Sequence, residues 1–178
     1  MSLQLRVFLC LFIVYSASVS GQDSIENAIN TSIEQRHASF DSLQKYTSAF
    51  KRDSLAIASF IEKSKNAGYT YGNAFGENLL GIYLRDHSYY EEALEHHDKA
   101  LKLANELNDV ELKVSVLNMT GVVYRRIDAV SSALDKHNAA LALAESQSKK
   151  SRALLKGIAI SQNSIGNIYL LLRDYDDA

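Results

Sequence analysis

Three segments of the sequence repeat one another, and this repetition constrains the fold more than any other feature. Gly121 follows Gly81 by 40 residues, and Gly166 follows Gly121 by 45 residues. A small residue further along each segment keeps the same two spacings: Ala93, Ala133 and Ala178. Two markers in register indicate a supersecondary unit that stacks on copies of itself.

The composition predicts that these units are helical. The 178 residues contain no proline and only eight glycines, with 47% hydrophobic and 22% charged residues. Proline and glycine are the residues least compatible with a helix interior, and the remaining composition is that of a globular protein. The apolar periodicity predicts helices over 70–86, 89–107, 110–127, 129–147 and 150–173.

Polar residues that favour helix N-termini stand between these segments. Ser88 and Glu91 have the spacing of a capping box. Three aspartates are expected to open the helices that follow them: Asp109, Asp128 and Asp174. Upstream, a helix over 53–67 is expected to end at Gly68, and 24–50 is predicted to form one divergent helix before it.

The glycines lie inside predicted helices, where glycine costs about 1 kcal/mol relative to alanine. We therefore expect each to mark a close crossing with its paired helix, where Ala93 and Ala133 would face the glycine. Tyr124 and Tyr169 are expected to fill the space below the crossings.

A glycine followed by a tyrosine and then an alanine, as at Gly166, Tyr169 and Ala178, resembles the tetratricopeptide repeat (TPR). The period departs from the family value, at about 40 residues rather than 34. The resemblance implies an all-α fold, an α-solenoid of antiparallel helix pairs, over 70–178, with the third repeat truncated at the end of the sequence. Residues 22–69 would form a divergent N-terminal helical cap or degenerate repeat.

The first residues have the pattern of a secretory signal peptide. Arg6 precedes an apolar run over 7–15, and small residues follow as far as Gly21. This order is typical of a cleaved leader, and nine apolar residues fall short of the ~20 that span a bilayer. We expect 1–21 to be removed on export, to the periplasm or another extracytoplasmic site, with an uncleaved anchor as the alternative. The only cysteine, Cys10, lies in this leader, so no disulfide is expected in the mature chain.

An asparagine precedes each repeat glycine by three residues. In TPR proteins this position faces the concave groove and binds the backbone of an extended peptide, so the resemblance implies a protein or peptide ligand. The candidate groove residues are Asn78, Asn118, Asn163, Asn167, Arg85 and Arg125. The alternative is a structural ladder of hydrogen bonds between adjacent helices. Three neutral hydrogen bonds at ~1 kcal/mol each fall short of millimolar affinity, so other groove residues would have to contribute.

Histidines offer the one alternative chemistry. His97 and His137 stand where the TPR pattern has an aromatic residue, which predicts buried core positions. A cluster of Asp86, His87 and His96–Asp98 could hold a metal ion and make the chain a metal-dependent hydrolase, the least favoured hypothesis. We predict no metal, no cofactor and no catalytic residue in this chain, since no nucleophile or phosphate-loop motif occurs. A net charge of −2 without a basic cluster predicts no nucleic-acid partner.

The order of leader, divergent cap and repeats resembles the N-terminal part of bacterial TPR-containing sensor histidine kinases, and the segment 121–128 adds to this likeness. The resemblance implies an extracytoplasmic sensory or interaction module of a two-component signalling protein, whose kinase would lie beyond Ala178. Membrane contact would come only through the leader or that further part. The alternative is a free-standing exported TPR adaptor with no enzymatic domain.

Overall fold

The computed structural model describes residues 22–36 and 39–176, and within these ranges all regular structure is helical. The helices are α1 (22–34), α2 (Phe40–Tyr46) with a 3-10 turn (Thr47–Ala49), α3 (Ser54–Asn66), α4 (Thr70–Asp86), α5 (Tyr90–Glu106), α6 (Val110–Arg126), α7 (Val130–Glu145) and α8 (Arg152–Asp176). The all-α prediction is therefore confirmed. The predicted leader and the alanine at position 178 lie outside the described residues.

The predicted helix over 24–50 is wrong, because α1 ends at residue 34 and a separate helix, α2, begins at Phe40. Ser39 starts α2 by accepting a hydrogen bond from the Ser42 amide. A straight helix of this length would run about 40 Å at 1.5 Å per residue, well beyond the reach of α3. As parts of two separate helices, Ile29 on α1 and Leu43 on α2 lie in one hydrophobic cluster with residues of α3 and α4.

The turns that follow α3, α4, α5 and α6 share one backbone geometry. The second residue after each of these four helices has a positive φ: Gly68 (63°), Ser88 (66°), Asn108 (51°) and Asp128 (58°). The next residue donates its amide back across the helix end, as Tyr89 does to the Leu84 carbonyl at 2.9 Å. This is the Schellman arrangement, which satisfies the last carbonyls of a helix.

This geometry corrects two of the predicted N-caps and confirms another. Ser88 and Asp128 occupy the left-handed position that ends α4 and α6, so neither starts the next helix. Asp109 is the N-cap of α6 and accepts a hydrogen bond from the Leu112 amide at 2.7 Å. Asp174 lies within α8 instead of before a new helix.

The helices from α3 to α8 pack in chain order, each against the next. In addition, α4 contacts α6, and α6 contacts α8, so these three helices lie side by side in one layer. Helix α2 lies against this layer, where it touches both α4 and α8. None of the helices in the described ranges is long and apolar enough to span a membrane.

The repeat glycines of α4 and α6 lie at close helix crossings, but the residue that faces them is a histidine. A Cβ on Gly81 would lie 2.7 Å from Cε1 of His97, and one on Gly121 would lie 2.7 Å from Nε2 of His137. Ala93 and Ala133, the expected partners, are buried one helical turn earlier. No described atom lies within 4 Å of a Cβ built on Gly166.

The Gly121→Ala substitution should therefore destabilise the protein, because the ring of His137 is fully buried and has no room to move. Overpacking at this site costs about 1–3 kcal/mol, partly offset by the better helix propensity of alanine. Gly166→Ala is the matched control, and it should raise the free energy of unfolding by about 0.5–1 kcal/mol. Urea unfolding at pH 7.5 measures both, and equal effects of the two substitutions would contradict the crossing.

Candidate functional site

Asn118 lies at the centre of a hydrogen-bonded junction of three helices. Its side chain is fully buried on α6. The Nδ2 atom donates to the Gly157 carbonyl of α8 at 2.9 Å. The Oδ1 atom accepts from Oγ of Ser161 on α8 and from Nδ1 of His137 on α7, both at 2.8 Å. Because a carbonyl can only accept, the amide orientation is fixed, and His137 carries its proton on Nδ1.

Asn78 occupies the equivalent position on α4 and is also buried, but it makes fewer bonds. Its Nδ2 donates to Oγ of Ser115 on α6 at 3.2 Å. Its Oδ1 and both ring nitrogens of His97 are buried without a hydrogen-bond partner among the described residues. Asn78 and Asn118, the first two asparagines of the predicted ladder, therefore form hydrogen bonds between helices. This is the alternative that the sequence left open.

The other predicted groove residues lie nearer to solvent. Asn163 and Asn167 are exposed on α8, one turn apart. Arg125 is half-buried on α6. Arg85 is largely buried, where it pairs with Asp86 at 2.7 Å and contacts Sδ of Met119 on α6 at 3.2 Å. These four residues belong to the helices of the layer formed by α4, α6 and α8.

Burial keeps the two core histidines neutral. Burial, with smaller contributions from the nearby charges of Arg85 and His96, lowers the pKa of His97 to about 3. Burial, with a contribution from Arg125, lowers the pKa of His137 to about 4. Both rings therefore pack as uncharged aromatic groups, the role that their place in the repeat predicted.

The histidines of the predicted cluster do not converge on one site, since each contacts a different neighbour. His87 stacks on Tyr83 and bonds to its carbonyl at 2.8 Å through Nδ1. His96 pairs with Oε2 of Glu77 at 2.6 Å, and His97 faces the glycine of α4. In the described part of the chain, no three histidine, cysteine, aspartate or glutamate side chains are placed to share a metal ion.

Helix α2 covers part of the layer formed by α4, α6 and α8, a placement that the sequence did not predict. Phe40 packs edge-on against Phe75 of α4, with ring centroids 5.2 Å apart. A cavity of about 180 Å³ remains beneath the helix. Its lining is Phe40, Gln44, Ile82, Glu111, Val114, Ser115, Asn118, Met119, Ala153, Lys156, Gly157 and Ile160. The only sequence signal was the spacing of Phe40, Leu43 and Thr47, which share one helix face.

The comparisons with known proteins add no relative. No protein-family model matches the chain, and no curated protein or solved structure is significantly similar to it. Its function is therefore inferred from its own residues and their geometry.

Proposed function

We propose that this chain is a TPR-like α-solenoid that binds an extended protein or peptide segment along one face. The observation that supports this most directly is the layer in which α4, α6 and α8 contact one another in succession. Each of the first two is followed by its own packed partner, α5 or α7. A layer built from every second helix presents register-equivalent positions side by side, which suits a ligand that runs across the helices.

The shared local geometry supports the solenoid. The turns after α4 and α6 have the same backbone form, with Ser88 and Asp128 at left-handed φ. A buried histidine faces a glycine at both crossings. The same structural unit is thus used twice along the chain, as a solenoid requires.

The binding residues in this proposal are the solvent-accessible members of the predicted set. Asn163 and Asn167 lie one turn apart on α8, so their amides can bond to successive polar groups of a peptide backbone. Arg125 supplies a guanidinium for a carboxylate of the ligand. Asn118 holds the helices in place beneath them, and its amide is already used within the protein.

A role in signal transduction, and a site of action outside the cytoplasm, remain predictions from the sequence resemblance. A peptide-binding module would serve equally as the sensory part of a kinase and as a free-standing adaptor. Expression of the complete gene product with a reporter fused at its C-terminus would locate the protein.

The proposal is tested with peptides selected from a random display library against the purified chain. The double substitution Asn163→Ala/Asn167→Ala removes two hydrogen-bonding side chains at about 1 kcal/mol each, so it should weaken binding roughly 30-fold. Fluorescence anisotropy measures the dissociation constants, and Arg125→Ala should act in the same direction.

Gln162→Ala is the matched control, because Gln162 is an exposed amide on the same helix, about 100° around its axis from Asn163. It should leave the dissociation constant unchanged. If the asparagine and Arg125 substitutions also leave it unchanged while the protein melts normally, the ligand does not bind this face.

A further inference from the structure

Helix α2 meets the layer of α4, α6 and α8 in the way that a bound amphipathic helix meets a groove. Three buried residues are spaced i, i+3 and i+7 along α2 and the 3-10 turn that follows it: Phe40 (9% exposed), Leu43 (0%) and Thr47 (2%). Phe40 and Leu43 belong to a hydrophobic cluster that also contains residues of α4 and α6. Helical ligands that lie in grooves present their anchors at this spacing. Asp41 and Lys45 are exposed at the edge of α2.

Helix α2 is stabilised by its packing against the layer more than by its intrinsic helix stability. Helix α2 has seven residues, and isolated helices shorter than about 12–15 residues are marginal in water. The polar groups of its ends bond locally, since Thr47 donates to the Leu43 carbonyl at 2.8 Å and Ser39 to Ser42 at 2.8 Å. The segment would therefore lose its helical form if it left the layer.

The surface beneath α2 is larger than α2 fills. The cavity of about 180 Å³ lies between α2 and the N-terminal halves of α6 and α8. Its walls include Val114, Met119 and Ile160, so an additional apolar side chain could enter it. It is smaller than the ~300–1,000 Å³ of pockets that enclose drug-sized ligands, which favours a side chain of a docked helix as its occupant.

The rim of this surface carries positive charge. Arg152 and Lys156 of α8 line a second cavity, of about 330 Å³, together with Asp41, Gln44 and Lys45 of α2. The carboxylate of Asp41 thus lies on the side of α2 that borders the two cationic side chains. A docked helix with acidic residues at this position would be favoured by the same charges.

We propose that the part of the layer beneath α2, at the N-terminal halves of α6 and α8, is a docking site for an amphipathic helix of a partner protein. In this proposal α2 occupies the site within the chain until the partner helix displaces it. The partner helix carries an aromatic anchor, an aliphatic anchor three residues later, a small β-branched residue seven residues later, and an acidic residue next to the aromatic one. The proposal rests on the proposed function, since it assigns a second binding region to the same face. The extended ligand uses the other half, where Arg125, Asn163 and Asn167 lie further along α6 and α8.

The test uses a fluorescein-labelled synthetic peptide with the sequence of residues 39–50 as the probe. All proteins are the full chain with Cys10→Ser, so that introduced cysteines are the only thiols. In the closed variant, Gln44→Cys and Lys156→Cys are joined by a thiol-cleavable bis-maleimide, and mass spectrometry verifies the cross-link. Both residues line both cavities, so the linker fixes α2 on α8.

Cross-linking should abolish binding of the probe, and cleaving the linker should restore the affinity of the uncross-linked protein. A probe that binds equally before and after cleavage overturns the proposal. A second variant, Phe40→Ala/Leu43→Ala, loosens α2 and should bind the probe at least tenfold more tightly than the parent chain. If this variant does not fold, the cross-linked pair decides alone.

Two controls separate this inference from the proposed function. A probe with Asp in place of both Phe40 and Leu43 should not bind, and a probe with Asp41→Lys should bind about fivefold more weakly. Peptides selected for the extended site should bind the cross-linked protein with unchanged affinity. If they do so while the helical probe also fails to bind the uncross-linked protein, only the helix-docking site is wrong. If the probe behaves as expected and the Asn163→Ala/Asn167→Ala variant has no effect, only the extended site is wrong.

Discussion

Replacing Asn118 with alanine is expected to lower the free energy of unfolding by about 3–5 kcal/mol, because buried polar groups that lose their partner cost about 1–3 kcal/mol each. The substitution removes the bonds to the Gly157 carbonyl, to Oγ of Ser161 and to Nδ1 of His137. It leaves the His137 proton with no acceptor in a fully buried site. The Ser161 hydroxyl, which has a single proton, can then donate to the Gly157 carbonyl at 3.0 Å instead, which limits the loss.

Two asparagines in the same register position serve as controls for this prediction. Asn163→Ala should change stability by no more than about 0.5 kcal/mol, as is usual for exposed positions. Asn78→Ala should fall between the two, because Asn78 makes one bond, to Ser115. Urea unfolding followed by circular dichroism gives all three values, and an Asn118 variant as stable as the Asn163 variant would show that the junction is not formed in solution.

The second large effect is a loss of stability in mild acid. His97 and His137 have folded pKa values of about 3 and about 4, below the ~6.5 of an unfolded histidine. The unfolded chain therefore binds more protons, and the folded state becomes less stable as the pH falls from about 6.5 towards 4. At pH 5 each histidine lies about 1.5 pH units below its unfolded pKa, so the two together should cost about 4 kcal/mol.

The measurement is the free energy of unfolding between pH 7.5 and 4.5. The substitution His97→Phe should remove about half of the pH dependence, and His97→Phe/His137→Phe most of it, whatever their effect on stability at neutral pH. The phenylalanine ring is slightly larger beside the glycine of α4, so the slope and not the absolute stability is the diagnostic quantity. A double variant with the slope of the parent protein would place the acid sensitivity in other groups.

The helix boundaries could be predicted because their signals are local. The prediction of 110–127 and the observed Val110–Arg126 agree since Asp109 caps the helix with its own side chain. The positive φ of Ser88 and Asp128 has no such signal, because serine and aspartate favour N-caps at least as much as left-handed turns. The break between α1 and α2 has no comparable local signal. It allows residues of both helices to pack against α3, and this packing exists only in the folded chain.

The candidate site could be predicted only in part, for a similar reason. The spacing places Asn118 and Asn163 at equivalent positions of their helices, but it does not say what packs above them. Asn118 is buried because the backbone of Gly157 on α8 approaches it closely. The described residues place no such helix over Asn163, which is exposed. The docking of α2 depends on contact with α8, a segment more than 100 positions away in sequence; Gln44 and Lys156 line the same cavity between them.

The turns before α5 and after α6 have the same backbone form, so this helix pair is a unit that could be repeated in the chain. The segment that begins after Ser88 and ends at Asp128 starts and finishes at the same left-handed position, with the same amide-to-carbonyl closure on either side. A copy of this 40-residue segment could be joined after Asp128 without changing any turn. In the solenoid that we propose, the length of the array would therefore be set by how many times this unit is encoded, while the residues on the proposed binding face could vary independently.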